Sequence, residues 1–109
     1  MSKYLFIESR DPFELTDVRE LYVLAQSLSG QGHDVTFYLV QNGVLAARSG
    51  IKNGDFAKLT GGSIKVLADD FSLGERGIES GDVTSGVQVS NMDELVDLIV
   101  EGDSKVVWH

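Results

Sequence analysis

Five stretches of the chain carry an apolar pattern of strand length, and between them the apolar spacing changes to that of helices. Lys3 to Ile7 (KYLFI) is a short aromatic and β-branched run, which predicts a buried strand. Asp11-Pro12-Phe13-Glu14 reads as a helix start, with Asp11 as N-cap, Pro12 in the first helical position and Glu14 closing the capping box. Thr16-Asp17 is a competing start. Beyond either one, Val18, Leu21, Tyr22, Ala25 and Leu28 recur at helical spacing and form one apolar face, which Gly30 and Gly32 end. Asp34 to Val40 (DVTFYLV) is the clearest strand, and it stops at the turn signal Asn42-Gly43. Val44 to Arg48 and Phe56 to Leu59 predict two short helices. Gly61-Gly62 then introduces a third strand, Ser63 to Leu67 (SIKVL). Asp69 to Arg76 predicts a helical turn ended by Gly77, Ser80 to Gly86 a loop, and Val87 to Val89 a fourth strand. Ser90-Asn91 caps a last amphipathic helix with Met92, Leu95, Val96 and Ile99 on one face, ending at Gly102. Lys105 to Trp108 (KVVW) is the fifth strand.

Strands that alternate with helices predict an α/β fold of three layers. Its centre is a five-stranded, mainly parallel sheet flanked by helices and built with right-handed crossovers. At 109 residues, with no internal repeat and no linker, one domain spanning residues 1–109 is expected. In such a sheet, ligands gather outside the carboxyl ends of the strands. Three segments fall there: Glu8-Ser9-Arg10, Gln41-Asn42-Gly43 and Asp69-Asp70-Phe71-Ser72.

Composition narrows the chemistry. Nine basic against 17 acidic residues give a net charge of −8. That balance argues against a nucleic-acid backbone or an anionic membrane as a direct partner, since both are bound through basic patches. No apolar run is long enough to span a bilayer and none resembles a signal-peptide core, so a cytoplasmic protein is expected. The chain has no cysteine, which excludes a disulfide, a thiolate metal site and a thiol nucleophile of its own.

The remaining candidates are few. Arg10 and Arg76 are placed to hold an anion at the strand ends, although Arg76 has Glu75 and Glu79 as competing partners. His33 is expected on the surface and His109 frayed, neither at the strand ends. Two isolated histidines predict no metal site. Ser72 has no histidine to activate it. Asp69 and Asp70 are adjacent and do not face one another on a helix, and Gly61-Gly62 precedes a strand where a phosphate loop would follow one. No catalytic residue, cofactor or metal is therefore expected. Tyr4 and Trp108 read as core or interface residues.

The order of these pieces resembles the DsrE-like family, which includes the DsrE, DsrF, DsrH and Tus sulfur-relay subunits. The residues that carry the resemblance are Asn42-Gly43-Val44 after the second strand, Val66-Leu67-Ala68-Asp69 leading to Arg76-Gly77-Ile78, and the closing Val106-Val107-Trp108. The resemblance implies assembly as a homo-oligomer (dimer, trimer or hexamer) or as a hetero-oligomer with paralogous subunits. It also implies that active members carry sulfur as a persulfide on a cysteine after the third strand. In this chain that position is Asp69.

An aspartate there keeps the negative charge and the capacity to cap a helix, and loses the sulfur nucleophile. Two readings follow. Asp69 or Asp70 is a plain N-cap, or the acidic pair is a binding determinant at a pocket mouth. The resemblance and the strand-end rule together point to a non-catalytic binding or scaffold subunit. Its expected cleft comprises Arg10, Asn42, Gly43, Asp69, Asp70, Ser72 and Arg76. A small-molecule- or anion-binding protein, or an enzyme, using the same cleft is the alternative.

Overall fold

A computed structural model describes residues 2–13, 16–50, 54–100 and 103–109. Its first strand, β1 (Lys3–Glu8), leads to helix α1 (Thr16–Gly30) and then to β2 (Asp34–Leu39). A 3₁₀ segment, Gln41–Ala47, and helix α2 (Gly54–Thr60) lead to β3 (Lys65–Asp69). Helix α3 (Asp70–Glu75), β4 (Val87–Ser90), helix α4 (Met92–Val100) and β5 (Ser104–Trp108) complete the chain. Every adjacent pair of strands is parallel, in the order β4-β3-β2-β1-β5. The expected five-stranded parallel α/β sheet is the observed fold.

The strand order decides which helix covers which face. The first three crossovers step in one direction across the sheet, from β1 to β4, and right-handed connections put their helices on one side. The fourth returns from one edge to the other, so the same handedness sends α4 to the opposite side. The first face accordingly buries a large cluster in which Phe6, Phe37 and Val66 meet Val18, Tyr22, Phe56 and Leu59. The second face has a smaller one, where Leu5, Ile7, Tyr38, Val40 and Leu67 meet Leu95.

Several boundaries moved. The third strand runs two residues later than the pattern indicated, because Ala68 and Asp69 continue the ladder against Leu39 and Ser90 respectively as far as β2 and β4 reach. The Asn42-Gly43 turn and the short helix after it form one continuous 3₁₀ segment. Of the two helix starts, α1 as described begins at Thr16, and Asp11 instead accepts a hydrogen bond from the Phe13 N–H at 2.8 Å, a local turn. Glu14 and Gly102, named above as a capping residue and a helix stop, lie outside the described residues.

The apolar face expected of α4 is only partly buried. Leu95 is sealed and Leu98 packs beside it, whereas Met92, Val96 and Ile99 stay exposed. Apolar residues wrap more of this nine-residue helix than one sheet face can cover. The register sets Val106 beside Leu5 and Trp108 beside Ile7, on this same thinly covered face, and both are exposed. Among the described residues, no helix is long and apolar enough to cross a membrane.

Candidate functional site

The carboxyl end of β3 is where strand becomes helix. Asp69 keeps extended backbone (φ −67°, ψ 127°) and caps α3, its Oδ2 accepting the Ser72 N–H at 2.9 Å and the Ser72 hydroxyl at 2.8 Å. The Ser72 oxygen in turn accepts the N–H of Gln41 at 2.9 Å. A relay of three groups thus ties the end of β2 to the end of β3. Gln41 holds a left-handed φ of 50°, the one non-glycine among the described residues to do so. A side chain rarely adopts that conformation unless its surroundings enforce it. Asp69 is 1% exposed, and its Oδ1 is buried without a partner.

Arg76 closes the same corner. Its Nε donates to Asn42 Oδ1 at 3.1 Å and its Nη1 to the Ser72 carbonyl at 3.0 Å, in place of the ion pairs with Glu75 or Glu79 that the sequence offered. Gly77, at φ 69°, then ends the helix as a residue without a Cβ can. On the other side, the Tyr38 hydroxyl donates to the Asn91 carbonyl at 2.7 Å. Burial, with the charge of Asp69 adding to it, pushes that phenol up to about 12.

Gln41, Asn42, Asp69, Ser72 and Arg76 border a pocket of about 620 Å³. Asp69, Ser72, Asn42 and Arg76 supply its polar wall, while Phe71, Trp108, Met92 and Leu95 supply an apolar one. The volume lies within the range of small-molecule sites. Four of the seven residues expected in the cleft are therefore brought together: Asn42, Asp69, Ser72 and Arg76. The other three lie apart from its lining. Arg10 pairs with Asp17 at 3.2 Å. Asp70 is exposed and accepts the N–H of its neighbour Phe71 at 2.7 Å. Gly43 is buried against the end of β1, where an added Cβ would lie 2.2 Å from the Glu8 carbonyl oxygen. Its absent side chain permits packing of backbone on backbone.

A second cluster, unforeseen in the sequence, lies at the end of β1. Glu8 is fully buried, and His109 covers it with Nδ1 2.8 Å from both carboxylate oxygens. The other ring nitrogen, Nε2, lies 3.1 Å from Asp17 Oδ2, which also receives Arg10. Carboxylates only accept, so with both acids ionised the ring must carry both N–H groups. His109 is therefore not frayed. Its N–H donates to the Ile7 carbonyl and its own carbonyl accepts the Ser9 N–H, both at 2.9 Å. Burial raises the Glu8 carboxyl above its usual range, and the histidine pulls it back. Burial raises the Tyr22 phenol as well, helped by the charges of Glu8 and Asp11. A signal was present for the acid alone, which ends the apolar run of β1; the pairing of β5 with β1 is what brings His109 to it.

Among the described residues, no group of histidines and carboxylates has the arrangement to hold a metal ion. His33, the other histidine, accepts the Ser2 N–H at 3.0 Å and packs edge-on against Tyr4, at the opposite end of the sheet.

The fold has close counterparts among solved structures. The ychN protein from E. coli superposes with a TM-score of 0.87 at 20% identity, each chain covered in full. MTH1491 from Methanobacterium thermoautotrophicum does so with a TM-score of 0.82 at 22% identity, again over the full length of both. No curated protein matches the sequence. The DsrE/DsrF-like family matches residues 2–108, and the chain belongs to that family.

Proposed function

We propose that this chain is a non-catalytic binding subunit of the DsrE-like type, acting in the cytoplasm within a sulfur-relay or other sulfur-metabolism assembly. The observation that carries the reading is Asp69. It stands where the family resemblance puts the persulfide cysteine, and it is a buried helix cap on the wall of a pocket. The charge and the cap are retained, and no cysteine elsewhere in the chain could take over the thiol's work. In this reading the pocket receives a ligand and the apolar residues of α4 and β5 receive other subunits, copies or paralogues. The exposure of Val96, Val100 and Val106, outside the pocket lining, supports that use. Direct anion capture has less support, because Arg10 is outside the pocket and Arg76 is already bound to Asn42 and Ser72.

The test is association. In light scattering the chain is expected to exceed its monomer mass of 11.9 kDa, or to do so once cysteine-bearing sulfur-relay subunits are added and retained in a pull-down. A monomer that retains none of them contradicts the subunit reading.

A further inference from the structure

The charge distribution around the pocket is lopsided. Asp69 and Glu75 are its two acids, and Arg76 is the one cation among its described lining residues. Two of the three guanidinium nitrogens of Arg76 are engaged by Asn42 and the Ser72 carbonyl. Both hydrogen bonds at Asp69 Oδ2 come from neutral donors, the N–H and O–H of Ser72, so its charge is solvated but not neutralised. The second oxygen is buried and unpartnered. A charge held beneath apolar walls acts over several ångströms, because little water intervenes to screen it. The walls are of the matching kind. Phe71 and Trp108 are 71% and 64% exposed, and Met92 stands beside them. Aromatic faces attract cations, and a thioether adapts to irregular apolar shapes.

Resting on the reading of this pocket as the binding site, we infer that its ligand is an organic monocation: an amine or amidine carried on an aromatic or branched aliphatic body. The apolar body lies against Phe71, Trp108 and Met92, and the cationic head lies toward Asp69 and Glu75. The same arrangement disfavours sulfur oxyanions and other small anions.

Three ring compounds of similar size and different charge test this on the full chain: benzamidine (cationic), benzyl alcohol (neutral) and benzoate (anionic), with thiosulfate as a sulfur anion. Trp108 is the sole tryptophan and lines the pocket, so its fluorescence reports occupancy, and backbone amide shifts locate it. Benzamidine is expected to bind at least tenfold more tightly than benzyl alcohol, and benzoate and thiosulfate more weakly than either. Asp69→Asn, which keeps a capping oxygen, is expected to bring benzamidine down to the level of benzyl alcohol. Glu75→Gln, on an exposed position, is expected to weaken benzamidine two- to threefold and serves should the first variant fail to fold. Equal binding of benzamidine and benzyl alcohol, tighter binding of either anion, or a preference unchanged in both variants overturns the cation assignment and leaves the pocket reading standing. If none of the four perturbs Trp108 or the amides of Gln41, Asn42 and Phe71, the pocket reading fails and the assignment with it.

Discussion

Two carboxylates, Glu8 and Asp69, sit at the carboxyl ends of strands in one sheet, and both are sealed from water. The chain satisfies them by opposite means. Asp69 is served by Ser72, three residues on, through two neutral hydrogen bonds. Glu8 is served by His109, 101 residues away, through a ring able to carry a full positive charge. Burying a carboxylate is costly unless it is paired or hydrogen-bonded, so each arrangement answers the same demand. The consequences differ. At Glu8 the charge is consumed by the fold, clasping β5 to β1 and to the start of α1. At Asp69 the fold uses only an oxygen, which accepts two neutral donors and meets no partner of opposite charge among the described residues.

If the clasp at Glu8 is a true charge pair, breaking it should give the largest effect. His109→Ala leaves a buried acid without its partner and is expected to cost roughly 3 to 5 kcal/mol at neutral pH. Chemical unfolding checks this, and Glu8→Gln in the same background should recover part of the loss. Because Trp108 precedes His109 and lines the pocket, the variant should also alter Trp108 emission. Gly43→Ala comes next. Its new Cβ would meet the Glu8 carbonyl at 2.2 Å, backbone that cannot swing aside, and an overpacking loss of about 1 to 3 kcal/mol is expected in the same experiment.

A smaller effect is readable in pH. Burial holds the Glu8 carboxyl above its ordinary value of 4.5 in the folded chain. Between that value and the raised one, the folded state keeps a proton that the unfolded chain has released. The contribution of this group is therefore full below pH 4.5 and is lost as pH rises through the native value. The stability of the parent minus that of Glu8→Gln should fall steadily as pH is raised from 4.5. A difference independent of pH would mean that Glu8 is not held as described.

The same comparison explains what could be read from the sequence. The Asp69 site is local. A strand running into Asp69, a helical turn with Ser72 three residues later and a glycine beyond it are signals within ten residues, and the structure assembles them with Asn42 and Arg76. The three central strands were legible for the same reason, since a strand buried on both faces is a continuous apolar run, and the exposed edge strands β4 and β5 were legible as short β-branched runs. The clasp is non-local. Nothing near His109 in sequence indicates that a buried acid awaits it, and only the pairing of β5 with β1 brings the two together. Arg10 was misplaced for a different reason: its partner Asp17, seven residues on, lies on α1 and pairs with it apart from the pocket. The thin cover of the second sheet face was also out of reach, since only the strand order assigns one short helix, α4, to that whole face and leaves Val106 and Trp108 exposed beside it.

The central claim is that the fold needs an oxygen at position 69 and does not need its charge. Unfolding measurements at neutral pH on Asp69→Asn and Asp69→Ala test it most directly. The asparagine variant is expected to stay within about 1 kcal/mol of the parent, since asparagine and aspartate cap helices about equally well, and the alanine variant to lose roughly 1 to 2 kcal/mol with the cap. An asparagine variant destabilised as severely as His109→Ala would contradict the claim, because the charge of Asp69 would then belong to the fold and not to a ligand.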